Sequence, residues 1–79
     1  MQTYANLGGD SGVVKYEIGQ NYIDVEFKDR NKDGCNTYKY TYASAGASNI
    51  EQMKQLAAAG RGLHSFIMLN VKKDYESKW

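Results

Sequence analysis

Alternating apolar and polar residues predict three β-strands in the first half of the chain. The alternation runs over residues 13–18, 22–28 and 37–42, and a period of two is typical of sheets with one covered face and one face in water. The turn residues Gly19-Gln20-Asn21 join the first two segments and favour an antiparallel hairpin. The residues expected on the apolar side are Val14, Tyr16, Ile18, Ile23, Val25, Phe27, Tyr38, Tyr40 and Tyr42.

The second half of the chain has the period of amphipathic helices. Ser48 and Glu51 match a capping box, so a helix is expected over residues 49–59. Gly60 is expected to end that helix in the left-handed conformation. A second helix is expected over residues 63–77, where apolar residues again recur at helical spacing. The apolar positions of the two helices are Ile50, Met53, Leu56, Ala57, Leu63, Phe66, Ile67, Val71 and Tyr75.

Together these elements predict an α+β fold in the order β-β-β-α-α. A three-stranded antiparallel β-meander would be covered on one face by the two helices. Residues 1–10 show no period and include two adjacent glycines, so a flexible N-terminal arm is expected there, followed by a single domain over residues 11–79. The residues expected to be mostly buried are Ile23, Val25, Phe27, Tyr40, Ile50, Met53, Leu56, Phe66, Ile67 and Val71.

Charge and cysteine content narrow the range of functions. The net charge of +1, from 10 basic and 9 acidic residues, is not that of a strong nucleic-acid binder, although it leaves room for a local basic patch. Cys35 is the single cysteine, which rules out an intramolecular disulfide and favours a reducing compartment such as the cytoplasm. We see no signal-peptide pattern and no apolar run as long as a membrane span, so no membrane association is expected.

Residues that could carry out catalysis are sparse. His64 is the single histidine, and together with Cys35 it lacks the further partners that a nucleophilic or metal site needs. Asp24 and Glu26 share one strand face, where neighbouring lysines favour a solvated, charge-paired surface over a carboxylate pair for acid–base chemistry. We therefore expect no catalytic residue and no cofactor, and interpret the chain as a non-enzymatic binding module.

The polar loop after the second strand resembles the first half of a calcium site. Residues 29–34 place oxygen ligands at alternate positions and Gly34 at the sixth, as in an EF-hand loop. Position twelve is Tyr40, which cannot supply the bidentate carboxylate, and Arg30 and Lys32 add positive charge beside the ion. The sequence therefore predicts an ordinary hairpin loop that binds no metal.

Three stretches of the chain, spread over residues 11–75, carry the pattern of a known family. They are Ser11 with Val14 and Tyr16, the triplet Tyr38-Lys39-Tyr40, and Gly62-Leu63-His64-Ser65-Phe66-Ile67 through Val71-Lys72-Lys73-Asp74-Tyr75. In order and spacing they resemble the KTSC domain, a short module at the C-terminal end of some lysyl-tRNA synthetases and in stand-alone bacterial and phage proteins. Met68 and the long loop 28–36 depart from the family pattern. The resemblance implies a KTSC-like domain over residues 11–79 and an RNA-binding accessory role.

A candidate anion site lies where the second helix is expected to begin. Backbone N–H groups at the start of a helix, with a nearby guanidinium group, suit a phosphate. Two lysines more than two turns further along would suit a second phosphate. The alternative is that the glycines only reverse the chain and that Arg61 is solvated. The candidate nucleic-acid or anion-binding residues are Arg61, Gly62, His64, Ser65, Lys72 and Lys73.

Two questions remain open at this point. Tyr38, Tyr40 and Tyr42 fit either a core whose hydroxyls reach its rim or a stacking platform for bases. The partner is either RNA or, alternatively, a protein bound through the uncovered sheet face or through Met68 and Trp79. RNA binding would weaken steeply with salt, whereas a protein partner would require a contiguous apolar patch.

Overall fold

The computed structural model describes residues 1–9 and 11–79. The strands are β1 (Gln2–Thr3), β2 (Val13–Ile18), β3 (Tyr22–Phe27), β4 (Thr37–Thr41) and β5 (Ser77–Lys78). The helices are α1 (Tyr42–Ala45), α2 (Ala47–Ala59) and α3 (Leu63–Phe66), and α3 continues directly as the π-helical segment Ile67–Val71. The α+β class and the antiparallel sheet are therefore confirmed. The described residues form five strands rather than the expected three, and the helices depart from the expected pair.

The three expected strands form the centre of the sheet. The strand order is β1-β2-β3-β4-β5, and every neighbouring pair is antiparallel. Ile23 on β3 lies opposite Tyr40 on β4, and Val25 lies opposite Tyr16 on β2. Because side chains alternate across a strand, this register puts the apolar residues of the central strands on one face.

A β-bulge near the start of β2 changes which valine faces the core. Val13 pairs with Phe27, but the next paired residue of β2 is Lys15, opposite Glu26, so that one residue of β2 is extra. An extra residue shifts the alternation by one position, and Val13 and Tyr16 are both buried as a result. The expectation that Val14 faces the core is therefore wrong, because periodicity alone does not reveal a bulge.

The first residues belong to the sheet and the core, contrary to the expected arm over residues 1–10. Gln2 and Thr3 pair with β2, and the N–H of Tyr4 donates to the carbonyl of Val14 at 2.9 Å. The Tyr4 side chain is 3% exposed, and its hydroxyl accepts a hydrogen bond from the N–H of Leu63 at 3.3 Å. Asp10, the last residue of the expected arm, lies outside the described residues.

The end of α2 holds this N-terminal segment in place. Gly60 ends the helix in the left-handed conformation, with a φ of 76°, as the sequence predicts. Its carbonyl accepts from the N–H of Leu7 at 2.7 Å, and a Cβ at Gly60 would lie only 2.6 Å from the Cβ of Ala5. Glycine is therefore required here both by its backbone angle and by the close approach of the chain.

The capping box lies one helix earlier than expected. The Thr41 hydroxyl accepts from the N–H of Ser44 at 3.1 Å, while the N–H of Thr41 donates to the Ser44 hydroxyl at 3.0 Å. This pair begins α1 directly after β4, so Tyr42 leaves the strand and its ring is exposed. At α2 the capping residue is Gly46, without a side-chain cap, and the expected box at Ser48 and Glu51 is wrong.

The last helix ends at Val71, so the expected helix over residues 63–77 is wrong in its final part. Leu63, Ile67 and Val71 are each 0% exposed. In an α-helix, residues four apart drift by about 40° per step, and the wider π-helical turn counteracts this drift. After a turn at Lys72 and Lys73 the chain returns to the open edge of β4 as β5, where its backbone finds hydrogen-bond partners.

The core lies between the sheet and the buried faces of α2, α3 and the π-helical segment. Seven of the ten residues expected there are buried, while Phe27, Leu56 and Phe66 pack against them half-buried. Within the described ranges no helix combines the length and the apolar character of a membrane span. Buried hydrophobic residues that the expected list lacks are Tyr4, Val13, Tyr16, Ala57 and Leu63.

The role of Tyr4 can be tested by substitution. Tyr4→Ala should lower the free energy of unfolding by about 3–5 kcal/mol, because it removes a buried aromatic ring. Tyr4→Phe should cost about 1 kcal/mol, the contribution of the hydrogen bond to Leu63. Urea unfolding measures both, with Thr3→Ala as an exposed control on the same strand. Equal stability of the Tyr4→Ala variant and the parent would show that residues 1–5 form a loose arm after all.

Candidate functional site

A cavity of about 340 Å³ opens between one end of the sheet and the end of the last helix. We call it the aromatic cavity, because five ring side chains line it beside four lysines. The rings are those of Phe27, Tyr38, Tyr40, His64 and Tyr75. The lysines are Lys28, Lys72, Lys73 and Lys78, and the remaining lining residues are Gly12, Asp29, Asn31 and Met68.

The aromatic rings of this cavity meet mainly edge to face. The ring centroids of Tyr38 and Tyr75 lie 5.0 Å apart with planes at 68°, and those of Tyr38 and Phe27 lie 5.7 Å apart at 86°. Edge-to-face contacts are favourable for aromatic pairs, so the walls hold each other in place. Tyr75 and Tyr40 also meet edge to face, at a centroid distance of 6.5 Å.

Tyr40 forms the most deeply buried part of the lining. Its side chain is 1% exposed, and its hydroxyl has no hydrogen-bond partner among the described residues. Burial, followed by the nearby Tyr38 and Tyr75 hydroxyls, raises the pKa of Tyr40 well above its ordinary value. The hydroxyl therefore keeps its proton at neutral pH and can both donate and accept a hydrogen bond.

Positive charge collects around the aromatic cavity. Its lining holds four lysines and one carboxylate, that of Asp29. Lys78 forms an ion pair with Asp33, which raises the pKa of Lys78. Lys72 and Lys73 are exposed and take part in none of the ion pairs found among the described residues. The cavity therefore carries a local positive potential that the net charge of the chain does not show.

The ring of His64 forms part of the cavity wall and is held in place by two contacts. Its Nδ1 accepts a hydrogen bond from the N–H of Gly12 at 3.0 Å, which requires a neutral ring with its proton on Nε2. The ring also contacts Phe27 edge to face at 5.4 Å. A Cβ at Gly12 would lie 3.0 Å from the Cε1 of His64. The imidazole therefore ties the start of β2 to α3 and leaves its Nε2–H as its available donor.

A second cavity, of about 480 Å³, shares His64 and Met68 with the first. We call it the glycine cavity; its other lining residues are Gly8, Ser11, Arg61, Gly62, Ser65 and Leu69. The expected cradle of N–H groups from Leu63, His64 and Ser65 is incomplete, because the N–H of Leu63 donates to Tyr4. A phosphate at this place would therefore have one backbone donor fewer beside the Arg61 side chain.

The structure divides the six candidate residues between the two cavities. Arg61, Gly62 and Ser65 line the glycine cavity, Lys72 and Lys73 line the aromatic cavity, and His64 lines both. The wall and rim residues supplied by other segments were not predicted from the sequence. They are Phe27, Lys28, Tyr75 and Lys78. Tyr38 and Tyr40 in the triplet at 38–40 indicated an aromatic surface on this strand. Tyr75 and Lys78 reach the site only because the chain returns to β4.

The loop over residues 29–34 uses its oxygen atoms internally. The side-chain oxygen of Asn31 accepts from the N–H groups of Asp33 and Cys35, at 3.2 and 3.3 Å. The hydrogen bond from Lys78 lowers the pKa of Asp33, and Arg30 donates to the carbonyl of Gly34 at 2.7 Å. Within the part of the chain that the structure describes, no three His, Cys, Asp or Glu residues are grouped for a metal.

The uncovered sheet face contains a buried carboxylate, that of Asp24. Lys39 lies opposite Asp24 on β4 and approaches it at 3.8 Å, and the lysine ammonium lies 4.0 Å from the centre of the Tyr22 ring. Asp24 is only 6% exposed, and its Oδ1 has no hydrogen-bond partner among the described residues. The expected charge pairing is present, but the expected solvation is not. Burial raises the pKa of Asp24 against the opposing effect of Lys39.

Comparison with protein-family models, with curated proteins and with solved structures found no match to this chain in any of the three. The function is therefore inferred from the geometry of the two cavities and from the sequence.

The absence of calcium binding at residues 29–34 remains a prediction. Titration with calcium should leave the amide signals of Asn31 and Gly34 unmoved, because Asp33 is paired with Lys78 and two cationic side chains lie in the loop. Nuclear magnetic resonance of the ¹⁵N-labelled protein measures this, with magnesium as the control for ionic strength. Saturable shifts confined to the loop would contradict the prediction.

Removing the charge of Asp24 should stabilise the protein at neutral pH. Because the folded-state pKa of Asp24 is raised, the charged form opposes folding above that pKa, and the folded chain binds the proton more readily as pH falls. Asp24→Asn should therefore be more stable than the parent at pH 7, and the difference should shrink toward pH 4. Urea unfolding across this range measures it, with Asp74→Asn as a control for net charge. A difference that grows as pH falls would have the wrong sign.

Proposed function

We propose that this protein is a non-enzymatic module that binds single-stranded RNA through the aromatic cavity. The observation that carries the proposal is the joint lining of one cavity by aromatic rings and lysines. Proteins that bind single strands combine aromatic side chains, which contact bases, with cations that follow the phosphate backbone. The resemblance of residues 11–75 to the KTSC domain supports the same function.

The chemistry of the lining favours binding over catalysis. The imidazole of His64 uses its Nδ1 to accept from Gly12, so this nitrogen is not free to act as a general base. Tyr40 holds its proton firmly, so it is unsuited to act as a general base near neutral pH. The cavity volume of about 340 Å³ is at the lower end of the usual range for small-molecule sites, about 300–1,000 Å³.

A bound RNA strand could extend from the aromatic cavity into the glycine cavity. It adjoins the aromatic cavity at His64 and Met68, and its one cationic side chain is that of Arg61, which is exposed. A guanidinium group can make forked contacts to a phosphate. A strand that leaves the aromatic cavity on this side would therefore meet Arg61 at a neighbouring phosphate.

A protein partner is the second candidate function, and exposed apolar side chains favour it. Leu69 is 84% exposed, and Met68 and Leu7 are also well exposed. Met68 and Leu69 line the glycine cavity, and the backbone of Leu7 is bonded to Gly60. Contiguous exposed apolar surface often marks a contact with another protein. Such a partner would occupy the glycine cavity and its rim.

The lysines at the rim of the aromatic cavity provide the test. Lys72→Ala combined with Lys73→Ala should weaken binding of a short single-stranded RNA and flatten its salt dependence, because each lost phosphate contact reduces the logarithmic slope by about 0.7. Thermal stability should hardly change, because both side chains are exposed. Fluorescence anisotropy with a labelled uridine oligomer, measured at several salt concentrations, gives the affinity and the slope.

Lys15→Ala combined with Lys32→Ala is the matched control. Both lysines are exposed, and neither lines either cavity. Each double variant removes two lysines, so the change in net charge is the same in both. Equal losses in the two double variants would mean that only overall charge matters and that the cavity is not the site. If the parent shows no affinity for RNA even at low salt, the protein-partner function takes its place.

A further inference from the structure

The rings of Tyr38 and Tyr40 on β4 are nearly parallel, with planes at 26°, but they do not offer a row of open faces to stacked bases. Tyr40 is 1% exposed, and its ring face is therefore closed to a ligand that lies on the sheet. The rings of Phe27 and Tyr75 stand steeply against Tyr38, at 86° and 68°. Successive bases of an extended strand need successive open ring faces. The arrangement instead leaves one concave space with aromatic walls.

The lining of this space includes Tyr40, whose hydroxyl makes no hydrogen bond to the described residues. Its side chain is 1% exposed, but the hydroxyl is not among the buried polar atoms that lack a partner, so solvent reaches it. Covering a polar group without replacing its hydrogen bonds to water costs free energy. A ligand that fills the cavity is therefore bound better with a polar edge on this hydroxyl than with an apolar edge there.

The rim of the same space carries the charge. Lys72 and Lys73 follow the buried row of the last helix and are exposed, and the exposed Lys28, which follows β3, also lines the cavity. A ligand that fits the whole cavity therefore has a planar body, a polar edge at its buried end and an anionic group at its outer end.

We propose that the aromatic cavity binds a single unpaired nucleotide whose base enters with its polar edge pointing inward. That edge contacts the Tyr40 hydroxyl, and the phosphate of the nucleotide lies at Lys72 and Lys73. This inference rests on the proposed function and defines its recognition unit as a single nucleotide. A base that is turned out of its strand can be bound in this way by ring contacts and by hydrogen bonds to its edge.

Mononucleotides test the proposal directly. Each of the four ribonucleoside 5′-monophosphates is titrated into ¹⁵N-labelled protein, and each is also used to compete with a labelled RNA oligomer. At least one should displace the oligomer and shift the amide signals of Tyr38, Tyr40 and Tyr75. If the oligomer binds but no mononucleotide competes or shifts these signals, the single-base pocket is wrong and the RNA-binding function stands.

Tyr40→Phe separates the base contact from the phosphate contact. The variant keeps the ring, so its melting temperature should not fall, but its affinity for the competing mononucleotide should drop about five- to tenfold. Ribose 5-phosphate, which has no base, should bind the variant and the parent equally. Tyr42→Phe is the control, because that hydroxyl lies outside both cavities and bonds to Glu51.

The outcomes separate the two proposals. Unchanged mononucleotide affinity in Tyr40→Phe would overturn the edge-first geometry while leaving RNA binding in place. If neither the oligomer nor any mononucleotide binds the parent protein at low salt, the proposed function fails and the single-base pocket fails with it.

Discussion

The buried row of Leu63, Ile67 and Val71 is the contact on which the rest of the molecule depends. Each residue is fully buried in the core cluster, and the change from α3 to the π-helical segment keeps all three on the core side. Single π-helical turns inside helices occur often at functional sites. Here the π-helical segment sets where the helix stops, and therefore places the turn at Lys72 and Lys73 beside the end of the sheet.

After that turn the chain returns along β4 as β5. This segment both completes the candidate site and covers the edge of the sheet. The N–H of Glu76 donates to the carbonyl of Lys39 at 2.7 Å, and the N–H of Trp79 donates to Thr37 at 2.9 Å. These hydrogen bonds cover the edge of β4, where unpaired backbone groups would otherwise offer a template for association. The same bonds hold Tyr75 and Lys78 against the aromatic cavity.

Sequence patterns predicted the central strands and α2, because runs of five or more residues show a period. β1 and β5 have two residues each, which is too short for any period, and their pairing is decided by which sheet edge is open. Tyr75 lies four residues after Val71, which is the spacing of a continued helix. The sequence pattern therefore did not distinguish a longer helix from a segment that returns to the sheet. The candidate residues Arg61, Gly62, His64, Ser65, Lys72 and Lys73 line the two cavities, and their role in binding stays a prediction. Their separation into two sites depends on tertiary contacts, such as that of Tyr4 with Leu63.

A net charge of +1 limits how this protein can hold a nucleic acid. Charges farther apart than about 8–10 Å are largely screened at physiological salt, so the lysines around the aromatic cavity matter more for a bound phosphate than the net charge of the chain does. Yet two or three local phosphate contacts supply only a modest, salt-sensitive attraction. In the proposed function, most of the affinity would therefore come from contact between a base and the aromatic walls, which does not depend on long-range steering.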